Sequence, residues 1–221
     1  LVQAWFARRF PAATVYRLFA LSNFASLLAL VAYPPLIEPA ITLQAQSYAW
    51  SAVYALFAGL CIASAWKAVG GSHDAGKEKP AESENQPRPL ASDYLLWLLL
   101  SALGSLLLLA VTSHITQNVA SVPFVWILPL VLYLLSFILV FDVGGGRGKS
   151  GWYSRLWALP LLFVLLSAMA YYLSQNLGVM KIRYSIALYC AGLFVACMFC
   201  HGELAAMRPA PKYLTRFYLM I

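Results

Sequence analysis

The chain is divided into apolar blocks of about twenty residues, the length a helix needs to cross the hydrocarbon core of a bilayer. No other feature restricts the fold as much. Backbone groups in lipid must satisfy one another, so only helices or closed barrels can span. The blocks are continuous rather than alternating, which excludes a barrel. The fold expected is therefore all-α: a polytopic transmembrane helix bundle of about six spans plus the start of a seventh. Composition agrees. The 221 residues are 62% hydrophobic and 10% charged, with a mean hydropathy of +0.74. A soluble domain carries nearer a quarter charged residues, so this chain cannot cover its surface with polar groups.

The spans are expected at 14–33, 45–66, 94–111, 123–141, 152–173 and 182–200, with a further apolar helix beginning at 213. Pro34 and Pro35 close the first span, and Pro129 and Pro160 fall inside later ones. Three regions result. Residues 1–69 hold two transmembrane helices. Residues 70–91 are a linker of Gly, Ser, Lys, Glu, Asn and Pro, with the composition of a disordered segment. Residues 92–221 hold four transmembrane helices and the start of another. The first residue is Leu1, and Ile221 falls inside an apolar run, so a longer polypeptide is expected.

Alternating spans place thirteen of the fifteen basic residues on one side, leaving only Lys181 and Arg183 on the other. The positive-inside rule then makes the N-terminal end, the 70–91 linker and the region after Cys200 cytoplasmic. The net charge of +7 is a membrane signature here, and nucleic acid is not an expected partner. The bilayer is.

Polar residues inside spans are few. Asn23 lies between Ser22 and Ser26, and Ser101, Gly104, Ser105, Gly192 and Ala196 are small residues that let helices approach closely. On the outer side, Glu38 lies in one connection. Thr112, His114, Thr116, Gln117 and Asn118 lie in another, expected over 112–121. An acid with a histidine could bind a cation or relay a proton, although Thr and Asn also cap helix ends. His201 and Glu203 offer a second cation site or a Glu203–Arg208 pair. The plainer expectation is a helix terminus, with Gly202 breaking the helix and His201 capping carbonyls.

Cys197, Cys200 and His201 match the C-x-x-C-H pattern of covalent haem, which would make the chain a haem-bearing redox subunit. A cytoplasmic helix end is a poor setting for that attachment. Two small thiols packed in a span are the simpler reading, and no cofactor is expected. GGGRGKS at 144–150 imitates a P-loop, but the first glycine of the motif would fall on Val143. There is no catalytic set: no metalloprotease helix and no paired carboxylates on one span.

Three stretches occur together: YRLFALSNFASLLAL at 16–30 with YPPLIEP at 33–39; TQNVASVPFVWILPLVLYLLSF at 116–137; and CHGEL at 200–204 with RPAP at 208–211 and LTRFY at 214–218. In this order they resemble the bacterial fused major-facilitator/spermidine-synthase-like membrane proteins. The resemblance implies a multi-pass domain of the bacterial inner membrane, joined to a soluble aminopropyltransferase-like domain beyond these residues. It implies either transport of a small cationic solute such as a polyamine, or an anchor or scaffold within a larger complex. It also implies that an acid is common where this chain carries Asn118.

Overall fold

The structure is a computed structural model that describes residues 15–70, 89–118, 123–141, 152–174, 182–209 and 213–221. The linker expected over 70–91 and the glycine-rich loop lie almost entirely outside the described residues. Those residues form seven α-helices and one π-helical turn. The helices are α1 (Val15–Ala32), α2 (Leu43–Gly70), α3 (Ala91–Asn118), α4 (Pro123–Phe141), α5 (Arg155–Ser174), α6 (Ile182–Ala206) and α7 (Leu214–Met220). The all-helical expectation is met. Five helical segments are long and apolar enough to cross a membrane, and the apolar stretch of α4 is shorter. The chain is a membrane protein.

Two compact units divide the described helices. One comprises residues 32–88 and the other everything before and after. In the smaller unit the chain leaves α1 through the π-helical turn Tyr33–Ile37. Pro34 and Pro35 have no N–H to give a regular helix, so the wide turn is closed by the Glu38 N–H on the Tyr33 carbonyl at 3.0 Å. The Tyr33 hydroxyl donates to Gln46 Oε1 at 2.9 Å, and Gln46 Nε2 donates to the Ile41 carbonyl at 2.8 Å. These bonds tie the turn to the start of α2.

In the larger unit α6 is the hub, packed against α3, α4 and α5, while α3 also meets α4 and α7. Spacing on α3 explains its part. Trp97, Ser101, Gly104, Val111 and Ile115 recur at helical intervals and are all buried, so they form one seam. On α4 the matching set is Tyr133, Ser136, Phe137, Val140 and Phe141. At one end Trp97 meets Phe217 of α7 edge to face, with ring centroids 5.0 Å apart. There the Ser101 hydroxyl lies 3.0 Å from the Met220 carbonyl. Helix α1 reaches this cluster through Ala20.

The segment expected as a connection over 112–121 is helical as far as Asn118. Its polar side chains are absorbed by the helix: Thr116 Oγ1 donates to the Thr112 carbonyl at 2.7 Å, and Gln117 Nε2 donates to Ser113 Oγ at 3.0 Å. Threonines that satisfy themselves on the preceding turn do not end a helix.

Candidate functional site

Three of the six buried polar or charged residues among those described, His201, Glu203 and Arg208, lie at or just beyond the C-terminal end of α6. His201 and Glu203 are two positions apart, so they leave the helix about 200° apart. They serve different neighbours.

His201 points into the seam of α3 and α4 and is wholly buried. Phe137 stacks on its ring at a centroid distance of 3.6 Å, and Tyr133 meets it edge to face at 5.0 Å. Nδ1 lies 2.8 Å from Ser136 Oγ. The Ser136 hydroxyl also lies 2.6 Å from the Tyr133 carbonyl, which can only accept. A hydroxyl has one proton to give. With that proton on the carbonyl, His201 Nδ1 carries the ring N–H and donates to Ser136, leaving Nε2 with a lone pair. Nε2 has no hydrogen-bond partner among the described residues.

Glu203 points to α5. Its Oε1 accepts from the Tyr153 hydroxyl at 2.5 Å and from Arg155 Nε at 2.6 Å, and its Oε2 accepts from Arg155 Nη2. The guanidinium fork on a carboxylate is the strong, directional form of an ion pair. Arg155 is largely exposed while the Glu203 side chain is not, so the pair sits at the edge of the bundle. Burial and the neighbouring carboxylate push the Tyr153 phenol well above its usual range, so its proton stays available to Glu203.

Gly202 makes this arrangement possible. A Cβ there would overlap the Tyr153 ring. With no side chain, the ring lies on the helix and its hydroxyl reaches the neighbouring Glu203. The helix runs through Gly202 to Ala206, which corrects the expectation that this glycine ends it. The expected Glu203–Arg208 pair is also replaced. Arg208 folds back to the Ala205 carbonyl at 2.7 Å and lies over the Phe141 ring at 5.3 Å. Arg155 enters from a separate helix with its guanidinium free to fork, whereas Arg208 follows α6 on the face toward α4.

The other sequence candidates lie elsewhere. Glu38 is exposed just beyond the π-helical turn. His114 is half-buried and its ring lies 4.3 Å from that of Tyr189 on α6. Asn118 is the last residue of α3. Asn23 is half-buried on α1, beside Ser26, whose hydroxyl back-bonds to the Ser22 carbonyl at 3.1 Å.

Cys197 and Cys200 are free, buried thiols on the face of α6 that carries His201. The three do not fit a haem. A methyl carbon placed on Gly104 of α3 would lie only 3.5 Å from His201 Nε2, leaving no flat space for a porphyrin on that nitrogen. Among the described residues no three His, Cys, Asp or Glu side chains are grouped to hold a metal ion.

Sequence reasoning singled out His201 and Glu203 but not Ser136, Phe137, Tyr153 or Arg155. The signal for Arg155 was present: the charge map puts it on the same side as Glu203. No family model, curated protein or solved structure matches the chain.

Proposed function

We propose that this chain is the integral-membrane domain of a spermidine-synthase-like, major-facilitator-like protein of the bacterial inner membrane, and that it acts as an anchor or scaffold. Its positively charged face, with the end of α6, is cytoplasmic in this reading. There it holds a fused soluble domain or a partner subunit at the bilayer.

The observation that carries the choice of role is the state of Glu203. A binding site for a small cation within the helices needs a carboxylate to offset the loss of hydration. Three acids fall among the described residues. Glu38 is exposed, and Asp93 accepts the Leu90 N–H at 2.8 Å at the start of α3. Glu203 is engaged on both oxygens by Arg155 and Tyr153. A carboxylate already neutralised within the chain serves the packing of α5 on α6 rather than a solute.

The test is uptake of labelled spermidine by proteoliposomes containing the purified chain. We expect uptake no greater than in empty vesicles, and no change with Glu203→Gln. Saturable uptake abolished by Glu203→Gln would replace the anchor with a transporter-like domain for a cationic solute.

A further inference from the structure

Helix α7 packs on α3 within the larger unit, and two contacts fix its direction. Phe217 meets Trp97 edge to face, and one turn on the Met220 carbonyl lies 3.0 Å from the Ser101 hydroxyl. Residue numbers rise together along the two helices, so they run parallel. Burial of α3 follows this contact. Trp97 is 1% exposed and Ser101 is 5% exposed. Further along the same column, at helical steps of three and four, Ser105 is exposed and Leu108 and Thr112 are half-buried. The column is covered where α7 lies and opens beyond the reach of Met220.

The hydroxyl at the opening is poorly satisfied. Ser26, Ser51 and Ser64 show how an exposed serine in a span satisfies itself: each donates to the carbonyl four residues back, at 3.1, 3.0 and 2.7 Å. Ser105 does not. Its one hydrogen-bond neighbour among the described residues is the Tyr133 hydroxyl of α4 at 3.4 Å, longer than two hydroxyls normally keep. Two hydroxyls carry two protons, and a bond between them uses one. The other is left at the lipid-facing surface, where a polar group without a partner is costly.

We propose that the strip of α3 from Ser105 to Thr112, edged by Tyr133 of α4, is the seat of a transmembrane helix lying in line with α7 and continuous with it. The strip extends the interface of α3 with α7, and the Trp97–Phe217 and Ser101–Met220 contacts set the direction in which the occupant runs. The chemistry of the strip describes that occupant. Ser105, Leu108, Thr112 and Tyr133 include no acid or base, so a charged segment would find no counter-ion there. A lipid tail offers no acceptor. A helix backbone does: a carbonyl bonded within its own helix keeps a second lone pair, and one turn beyond Met220 that lone pair meets Ser105 or Tyr133 as Met220 meets Ser101. Serine is also small enough for helices to approach closely. The seat is the same whether the domain anchors a partner or moves a solute.

The experiment is photocross-linking of the native polypeptide in its own membrane. Ser105→p-benzoylphenylalanine and Leu108→p-benzoylphenylalanine are made separately, and mass spectrometry identifies what each probe captures. Phe57→p-benzoylphenylalanine, on exposed α2, shows what a lipid-facing position yields. We expect positions 105 and 108 to capture a peptide that follows Ile221 in the same polypeptide, and position 57 to capture lipid. The second position guards against displacement of the docked helix by the bulky probe at 105, so the expected link at either one supports the seat. The proposal is overturned if both positions capture lipid as position 57 does, or if their links lead only to a second copy, to another protein or to a segment of the chain before α7.

Discussion

Helices α2 and α6 are both long and apolar enough to cross a membrane, and they have opposite surroundings. Two thirds of the α6 span is buried inside the protein and none of the α2 span is. Hydropathy measures the preference for leaving water, and a lipid tail satisfies that preference as well as a neighbouring helix does. What separates the two helices is the size and polarity of a minority of residues. Helix α2 presents Trp50, Tyr54, Phe57 and Leu60 outward, and a Cβ on its Gly59 would meet nothing within 4 Å. Helix α6 carries Gly192, Ala196, Cys197, Cys200 and Gly202, through which other helices approach, together with a histidine and a glutamate that are both engaged. Close approach and buried hydrogen bonds hold a bundle together when the hydrophobic effect does not favour protein over lipid.

The contrast is sharpest at glycine. Gly202→Ala should destabilise the larger unit by about 1–3 kcal/mol through overpacking against Tyr153, whereas Gly59→Ala should stabilise α2 by roughly 0.5–1 kcal/mol. Unfolding of each variant in mixed micelles, titrated with a denaturing detergent, measures both. Equal effects would mean that α6 is no more closely packed than α2. A smaller loss, about 1–2 kcal/mol, is expected for Ser136→Ala, which removes the partner of His201 Nδ1 and leaves a buried donor unsatisfied. The same titration reads it. Tyr153→Phe keeps the ring over Gly202 and removes one bond to Glu203, so it should cost about 1 kcal/mol, less than Gly202→Ala. Phe57→Ala, on the exposed side of α2, should change stability by less than about 0.5 kcal/mol. A loss as large as that at Ser136 would mean that Phe57 has a protein neighbour.

Much of the fold was legible because block length and proline position are direct physical constraints. Apolar runs located the helices, and Pro34 with Pro35 marked where regular α-helix gives way. The end of α3 was misread because Thr112, Thr116 and Gln117 resemble loop residues in composition, and only the backbone reveals that they bond within their own helix. The site was half legible. His201 and Glu203 stood out as ionisable groups at the end of an apolar run. Their partners did not, since Ser136 and Phe137 look like any serine and phenylalanine in a span. Gly202 was misread for a related reason: beside a polar residue a glycine signals either a helix end or a close approach. Only the Tyr153 ring decides between them.

The most direct test of the claim that Glu203 belongs to the packing of α5 on α6 is a double-mutant cycle with Arg155→Gln, Glu203→Gln and the pair together, read by detergent unfolding. Glu203→Gln leaves the exposed Arg155 without its carboxylate, Arg155→Gln leaves the largely buried Glu203 charge with only the Tyr153 hydroxyl, and the double leaves neither charge. We expect both singles to be less stable than the parent, and the double to be no less stable than the weaker single. Strictly additive losses would contradict the claim, because they would mean that Glu203 and Arg155 act independently and that the carboxylate is available for something else.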